Sequence, residues 1–150
     1  MEITIKPIGL IRTPYSDTAP YQPEPDAQGP FYIDLDEGLE EGLNNLDSFR
    51  YIYVLFYCDR IDRPIHMMAT PPRGNGKKVG LFASRSPRRP NPIGLSIVQI
   101  KGIERNRIHI SGIDALDGTP LLDIKPYFVS LDAKADAGNG WVGNRTSTPD

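Results

Sequence analysis

The sequence contains few of the residues on which metal sites, disulfides and membrane spans depend. Of its 150 residues, one is cysteine and two are histidine. An internal disulfide is therefore impossible, and a zinc site would have too few ligands. The longest uninterrupted apolar run, Tyr51–Cys58, is much shorter than the roughly 20 residues of a membrane helix, and the first residues show no signal-peptide pattern. We expect a cytoplasmic protein with no metal and no membrane partner.

Several catalytic signatures are also missing. No G-x-G-x-x-G follows a predicted strand and no P-loop occurs, so neither a Rossmann cofactor site nor a nucleoside triphosphatase is supported. No G-x-S-x-G occurs, and histidine is too scarce to pair convincingly with Ser86 or Ser96 in a serine hydrolase. Cys58, His66 and His109 are therefore interpreted as structural residues.

Charge is nearly balanced over the chain but uneven along it. The formal net charge of -2 argues against a protein that coats nucleic acid through bulk electrostatics. Cations nevertheless cluster in one span without acids, at Lys77, Lys78, Arg85, Arg88 and Arg89. Such a local positive edge suits a bounded anionic ligand, such as a cofactor carboxylate or a few phosphates.

Apolar patterning predicts a mainly β protein. The expected strands are Ile3–Ile11, Phe31–Leu35, Tyr51–Cys58, Val79–Ala83, Ile93–Ile103, Arg107–Ile113 and Leu121–Tyr127. One short helix is expected after Asp36, because three leucines at helical spacing follow it. Without an alternating strand–helix rhythm, the most economical fold is a small closed or nearly closed barrel with one or two short helices. We expect a barrel domain over residues 1–130 and a tail over 131–150 that packs on the barrel or on a partner subunit.

The central predicted strand places three tyrosines, Tyr51, Tyr53 and Tyr57, on one face. Aromatic side chains in this arrangement could stack a nucleic-acid base, or they could pack a core or a dimer seam. The sequence leaves these alternatives open.

The segment 84–92 alternates arginines with prolines. Proline fixes φ and removes an amide donor, so this loop should present guanidinium groups from a stiff backbone. Folding alone would rarely select so many prolines between two apolar runs, because they forfeit ladder hydrogen bonds. The pattern predicts a functional loop in which Arg85 is a ligand-binding cation.

Two long motifs and the start of the chain resemble the TsaA-like (TrmO) family. The motifs are SRSPRRPNPIGLS at Ser84–Ser96 and DALDGTPLLDIKPY at Asp114–Tyr127, and the start is IGLIRTPY at Ile8–Tyr15. The similarity covers nearly the whole chain in colinear order. It implies a single-sheet β-barrel that uses S-adenosylmethionine (SAM), works as a homodimer, and methylates N6 of the threonylcarbamoyl-adenosine beside the tRNA anticodon.

The same resemblance implies a set of cofactor-binding residues. Carried over position by position, they are Gln22, Pro23, Asp59, Arg60, Arg85, Leu95, Asp114, Ala115, Leu116 and Asp117. The chain departs from the bacterial pattern at Pro23–Glu24, where Pro-Gly is usual, and at Asp59–Arg60, where His-Gln is usual. Chemically, a guanidinium suits the SAM carboxylate, and aspartates accept hydrogen bonds from ribose hydroxyls or the adenine amine. Which partner each residue takes stays open.

For the acceptor, the candidate tRNA contacts are Arg88, Arg89, Asn91 and Lys125. The arginines could instead keep the loop soluble, and Asn91 could serve turn formation. Methyl transfer from a sulfonium needs mostly alignment and desolvation. Asp117 or Asp59 could receive the proton that the adenine amine sheds.

Two other functions stay open. Bacterial members of the family carry a further C-terminal domain, and we expect no counterpart of it after Ser130, so a SAM-dependent enzyme with a different acceptor is the first alternative. The second is a non-catalytic barrel that binds a nucleotide or RNA through the basic loop.

Overall fold

The computed structural model describes residues 1–62 and 64–143, and over these ranges the chain is mainly β. The strands of this described part are β1 (Gly9–Arg12), β2 (Tyr32–Leu35), β3 (Tyr51–Tyr57), β4 (Met68–Ala69), β5 (Val79–Gly80), β6 (Ile93–Glu104), β7 (Arg107–Ile110) and β8 (Thr119–Pro126). The helical segments are short: one α-helical turn, α1 (Val129–Asp132), and 3₁₀ turns at Glu37–Leu43, Leu46–Ser48, Pro72–Gly74, Leu81–Ala83 and Gly140–Val142. The prediction of a mainly β fold is confirmed.

The chain groups into two compact units. The sheet unit comprises Met1–Arg60 and Ile93–Tyr127, and the basic-loop unit comprises Ile61–Pro92 with the described part of Phe128–Asp150. The expected division into a domain over 1–130 and a tail over 131–150 remains a prediction. Residues 144–150 of that tail lie outside the described residues.

The sheet unit is organised around six antiparallel strands in the order β1-β2-β7-β6-β3-β8. β8 also pairs with β1, so each of these strands has a neighbour on both sides and the ring of pairings closes. The predicted central strand is confirmed: β3 pairs with β6 from Tyr51↔Gln99 to Tyr57↔Ile93, and with β8 on its other side.

Alternation along β3 shows how the core is built. Ile52, Val54 and Phe56 are at most 5% exposed, because every second side chain of a strand points to the same face. The tyrosines that the sequence placed on one face occupy the opposite, outward side, where Tyr51 and Tyr57 are exposed. They do not pack the core.

Two elements of the sheet unit differ most from expectation, and β7 also ends at Ile110 instead of Ile113. β1 begins at Gly9 instead of Ile3, since Pro7 lacks an amide donor and the apolar residues before it are exposed. Gly9 lies so close to β2 that a Cβ would overlap the Asp34 carbonyl. The helix expected after Asp36 is a 3₁₀ turn, and the Asp36 side chain makes no capping hydrogen bond.

The basic-loop unit contains a short two-stranded sheet, in which β4 pairs with β5. β5 is shorter than the predicted Val79–Ala83, because the chain turns into a 3₁₀ turn at Leu81. Leu81 is buried and donates its amide to the Met67 carbonyl at 2.8 Å. In the same unit the Trp141 indole donates to the Ala83 carbonyl at 2.7 Å, which fastens the segment after α1.

Candidate functional site

The turn Asp114–Thr119 leads from β7 into β8 and is held by the end of β1. The Asp117 amide donates to the Tyr15 carbonyl at 2.7 Å, and the Gly118 amide donates to the Ile11 carbonyl at 2.8 Å. Gly118 has φ of 80°, a left-handed conformation that favours glycine. These bonds fix the backbone of a turn that the sequence singled out as cofactor-binding.

The Asp117 carboxylate is held by two neighbouring residues of β1 and the chain just after it. Arg12 Nε donates to Oδ1 at 2.9 Å and a terminal Arg12 nitrogen donates to Oδ2 at 3.2 Å, so the contact is bidentate. The Thr13 amide donates to Oδ1 at 3.1 Å. The Asp117 side chain is 36% exposed, which leaves the fixed carboxylate accessible from solution.

Arg60 joins the end of β3 to the same turn. Its guanidinium donates to the Asp117 carbonyl at 2.8 Å and to the Thr119 hydroxyl at 3.3 Å. Its Nε donates to the Asp59 carboxylate at 3.3 Å. The structure therefore brings the predicted pair Asp59–Arg60 to Asp117, which lies 57 residues beyond Arg60 in the sequence.

Asp114 is anchored to β6. The Ser96 hydroxyl donates to its carboxylate at 2.5 Å, and Ser96 is only 4% exposed. Leu95 precedes Ser96 in β6 and points to the opposite face, with 48% of its surface exposed. Leu95 and Asp114 are therefore connected through Ser96, which adjoins Leu95 in the strand and hydrogen-bonds Asp114.

Cys58 lies between the acidic residues of this end of the sheet. Burial, together with the negative charges of Asp114 and Asp59, raises the pKa of its thiol to about 11. The thiol is half-buried against the core. It stays protonated at neutral pH, which suits a packing role and not a nucleophile.

The early loop that carries Gln22 and Pro23 packs against the chain just before the turn. A Cβ on Gly112 would overlap the carbonyl of Glu24, the residue that follows Pro23. Burial raises the pKa of Tyr15, and the charges of Glu24 and Asp114 add to that effect. Both observations place this loop beside the start of the turn.

Lys125 is not at this end of the sheet unit. It lies six residues beyond Thr119 along β8, a distance of roughly 20 Å at the usual rise of a strand. Its ammonium pairs with the Asp123 carboxylate at 3.0 Å. The structure does not bring Lys125 to the turn.

The basic-loop unit carries the other predicted residues, Arg85, Arg88, Arg89 and Asn91. Arg89 organises the loop: one terminal nitrogen donates to the Ser84 carbonyl at 3.0 Å and to the Ser86 carbonyl at 2.9 Å. Arg85, Arg88 and Asn91 are exposed. The loop is therefore held in part by its own arginine, which leaves two exposed cations on a fixed backbone.

Replacing Arg89 with alanine is expected to loosen this loop, because two carbonyls lose their shared charged donor. Amide hydrogen exchange of residues 84–90 should accelerate by about tenfold, the equivalent of one charge-assisted hydrogen bond. Arg88→Ala is the control, since Arg88 contacts the loop through its backbone amide, which donates to the Ser86 hydroxyl at 3.3 Å and is kept in the variant. Equal exchange in the two variants would contradict the organising role of Arg89.

Sequence reasoning missed Arg12 as a residue of this site. It lies inside the Ile8–Tyr15 segment that carried the family resemblance, but nothing in that segment indicates a partner 105 residues away. The one available indication was that Arg12 is a charged residue between Ile11 and Thr13, whose side chains are buried.

Residues 1–62 and 64–143 form no group of three or more histidine, cysteine, aspartate or glutamate side chains that could hold a metal ion. They also form no helix of the length and hydropathy that a membrane span requires.

Comparison with known families gives one match over most of the chain. The model of the tRNA-methyltransferase O N-terminal domain matches residues 10–133. A crystal structure of TrmO superposes with a TM-score of 0.78 and 35% sequence identity, covering 93% of this chain and 64% of the other.

Curated relatives show the same similarity. An S-adenosyl-L-methionine-binding protein of Archaeoglobus fulgidus is 38% identical over 133 residues, which cover 85% of this chain and 91% of the relative. A tRNA (adenine(37)-N6)-methyltransferase of Homo sapiens is 41% identical over 95 residues, 63% of this chain and 22% of the relative. The chain spans only 38% and 63% of the length of two further relatives that it matches.

Proposed function

The chain belongs to the family of the tRNA-methyltransferase O N-terminal domain, and from that premise we propose that it is a SAM-dependent tRNA methyltransferase. The acceptor in this proposal is N6 of the threonylcarbamoyl-adenosine next to the anticodon. The observation that carries the proposal is the family match over residues 10–133, a span that contains the held turn and every residue that holds it.

The residues at this end of the sheet unit fit the chemical groups of SAM. SAM has hydroxyls, an amine and an ammonium that need acceptors, and an adenine ring that needs an apolar wall. Acceptors are available on Asp59, Asp114 and Asp117, and Leu116 and Leu95 supply apolar surface. Gln22, Pro23, Arg60 and Ala115 complete the proposed set in the sheet unit, and Arg85 is proposed to bind the SAM carboxylate. When bound, SAM supplies a methyl group on a sulfonium, so no metal is needed for the transfer.

The chain's own residues must align the acceptor amine and take the proton that it loses. Asp117 and Asp59 are the two proposed acceptors for that proton. Three hydrogen bonds already engage the Asp117 carboxylate, whereas the Asp59 carboxylate, 39% exposed, receives one from Arg60 at 3.3 Å. The geometry favours Asp59 as the proton acceptor and Asp117 as a cofactor ligand.

The tRNA is proposed to meet the exposed part of the basic loop. Arg88 and Asn91 are exposed there, and guanidinium groups are the usual partners of phosphate oxygens. Arg89 supports this contact through the loop carbonyls that it binds. Lys125 remains a proposed contact for a more distant part of the tRNA.

The fold and the assembly are parts of the same proposal. The closed ring of strand pairings supports the predicted single-sheet β-barrel. The outward face of β6 supports a homodimer, because Ile93, Leu95 and Ile97 are between 38% and 48% exposed and uncharged. Sedimentation of the purified chain tests the dimer. The proposed compartment is the cytoplasm, where tRNA is modified.

Transfer of a labelled methyl group from SAM to purified tRNA tests the proposal. We expect label in tRNA with the wild-type chain and none when SAM is omitted. Calorimetric binding of SAM without label in tRNA would indicate a SAM-dependent enzyme with a different acceptor. Absence of SAM binding would leave a nucleotide- or RNA-binding barrel.

A further inference from the structure

The sheet unit carries two arginine–aspartate pairs of nearly identical geometry. Arg12 binds Asp117 through contacts of 2.9 and 3.2 Å, and Arg107 binds Asp34 through contacts of 2.8 and 3.2 Å. The exposed side-chain fractions also match, at 42% and 36% for the first pair and 44% and 36% for the second. As surface ion pairs, they should contribute similarly to folding stability. A difference in how the two pairs affect ligand binding must therefore come from the other residues that each pair contacts.

The Arg12 pair is connected to the turn at two further points. The Thr13 amide donates to the carboxylate that Arg12 binds, and the Thr13 hydroxyl donates to the Ala115 carbonyl at 2.9 Å. Thr13 is buried, at 7% exposed. The end of β1 therefore holds both Ala115 and Asp117, two of the four residues of the proposed cofactor turn.

The hydrogen bonds to Asp117 leave one direction for a ligand. An ionised carboxylate has about four acceptor positions, two on each oxygen. Arg12 Nε and the Thr13 amide take both positions on Oδ1, and the second Arg12 nitrogen takes one on Oδ2. The hydrogen bonds from the described residues 1–62 and 64–143 thus leave one acceptor position on Oδ2, and the guanidinium fork fixes the direction in which it points.

We propose that Arg12 is a positioning residue for the cofactor, because it orients the one remaining acceptor of Asp117 toward the ligand. The inference rests on the proposed function, since it assumes that the turn binds SAM. Two Arg12 nitrogens, Nε and one terminal nitrogen, donate to the Asp117 carboxylate, and in this proposal Arg12 acts on the cofactor through that carboxylate.

Arg107 provides a matched control. Its pair joins two adjacent strands, since Asp34 and Arg107 lie opposite each other in β2 and β7. Its guanidinium also lies over the Tyr32 ring, 4.2 Å from the ring centre. The contacts of this pair tie it to the strands and to Tyr32 and not to the turn.

The test compares Arg12→Lys with Arg107→Lys in SAM calorimetry and methyl-transfer kinetics. Lysine keeps the charge but cannot form a two-pronged contact, so each variant loses only the fork. We expect Arg12→Lys to weaken SAM binding by about tenfold, because the acceptor is no longer pre-oriented. The KM for SAM should rise by a similar factor while kcat changes by less than about twofold. Arg107→Lys should change neither constant.

The possible results distinguish a failure of the proposed function, a positioning role of Arg12 and a purely structural role of Arg12. If the wild-type chain does not bind SAM, the proposed function fails before Arg12 is tested. If the wild type binds SAM and both variants bind it equally well, the positioning role is wrong. If Arg12→Lys lowers Tm and kcat with an unchanged KM, its role is structural only, which also overturns the proposal. Faster amide exchange in the unliganded turn of Arg12→Lys, and not of Arg107→Lys, would support it independently.

Discussion

Replacing Arg85 with alanine is expected to weaken SAM binding by about 10- to 100-fold, because a charge-assisted hydrogen bond to a carboxylate contributes about 1.5–3 kcal/mol. Arg85 is exposed, so its removal should leave folding nearly unchanged. The backbone around it is held by Ser84, whose hydroxyl donates to the Leu81 carbonyl at 2.8 Å and accepts the Ser86 amide at 3.3 Å. Calorimetry with SAM measures the effect.

Arg88→Ala is the matched control for Arg85→Ala. Both arginines are exposed and lie in the same loop, so general loss of positive charge would affect them alike. We expect Arg88→Ala to bind SAM normally and to bind tRNA more weakly, with a smaller salt dependence. If the two variants lose SAM affinity equally, the assignment of Arg85 as a specific carboxylate ligand is wrong.

Replacing Gly94 with alanine is expected to lower the free energy of unfolding by about 1–3 kcal/mol, the usual cost of overpacking a core. Gly94 lies opposite Phe56 in the β3–β6 pair, and a Cβ at this position would overlap the Phe56 ring. Phe56 is 5% exposed and is packed into the core, so the ring has little room to move. Urea denaturation monitored by circular dichroism measures the loss.

Gly102 supplies the control for Gly94 within the same strand. A Cβ at Gly102 would meet no atom within 4 Å, so Gly102→Ala should change stability by less than about 0.5 kcal/mol. Equal destabilisation by the two alanines would show that backbone flexibility of β6, and not contact with the Phe56 ring, determines the need for glycine.

Strand patterning in the sequence was enough to identify most of the sheet. The run Tyr51–Cys58 predicted β3 within one residue, and the strand predicted from Arg107 starts where β7 starts. Patterning failed where apolar residues lack a buried face, as before Gly9, and where glycines interrupt a helical spacing, as in Glu37–Leu43. Local sequence does not show whether a segment has a partner to bury its apolar face, or whether a glycine-containing segment forms an α-helix or a 3₁₀ turn.

The candidate site was only partly accessible from the sequence. The family resemblance pointed to the turn by its motif and to Asp59–Arg60 by position, and in the structure Arg60 donates to the Asp117 carbonyl of that turn. The pairing of Arg12 with Asp117 crosses 105 residues, so it depends on the register of β1 against β8, which no local pattern encodes. Lys125 lies near the far end of β8, where it pairs with Tyr53 of β3.

Mass spectrometry of nucleosides from threonylcarbamoylated tRNA, incubated with the wild-type chain and SAM, tests the central claim most directly. We expect one added methyl group on N6 of threonylcarbamoyl-adenosine, and a much lower initial rate of its formation with Arg85→Ala at SAM concentrations near the wild-type KM. An unmodified nucleoside from fully threonylcarbamoylated tRNA, with a chain that binds SAM, would contradict it.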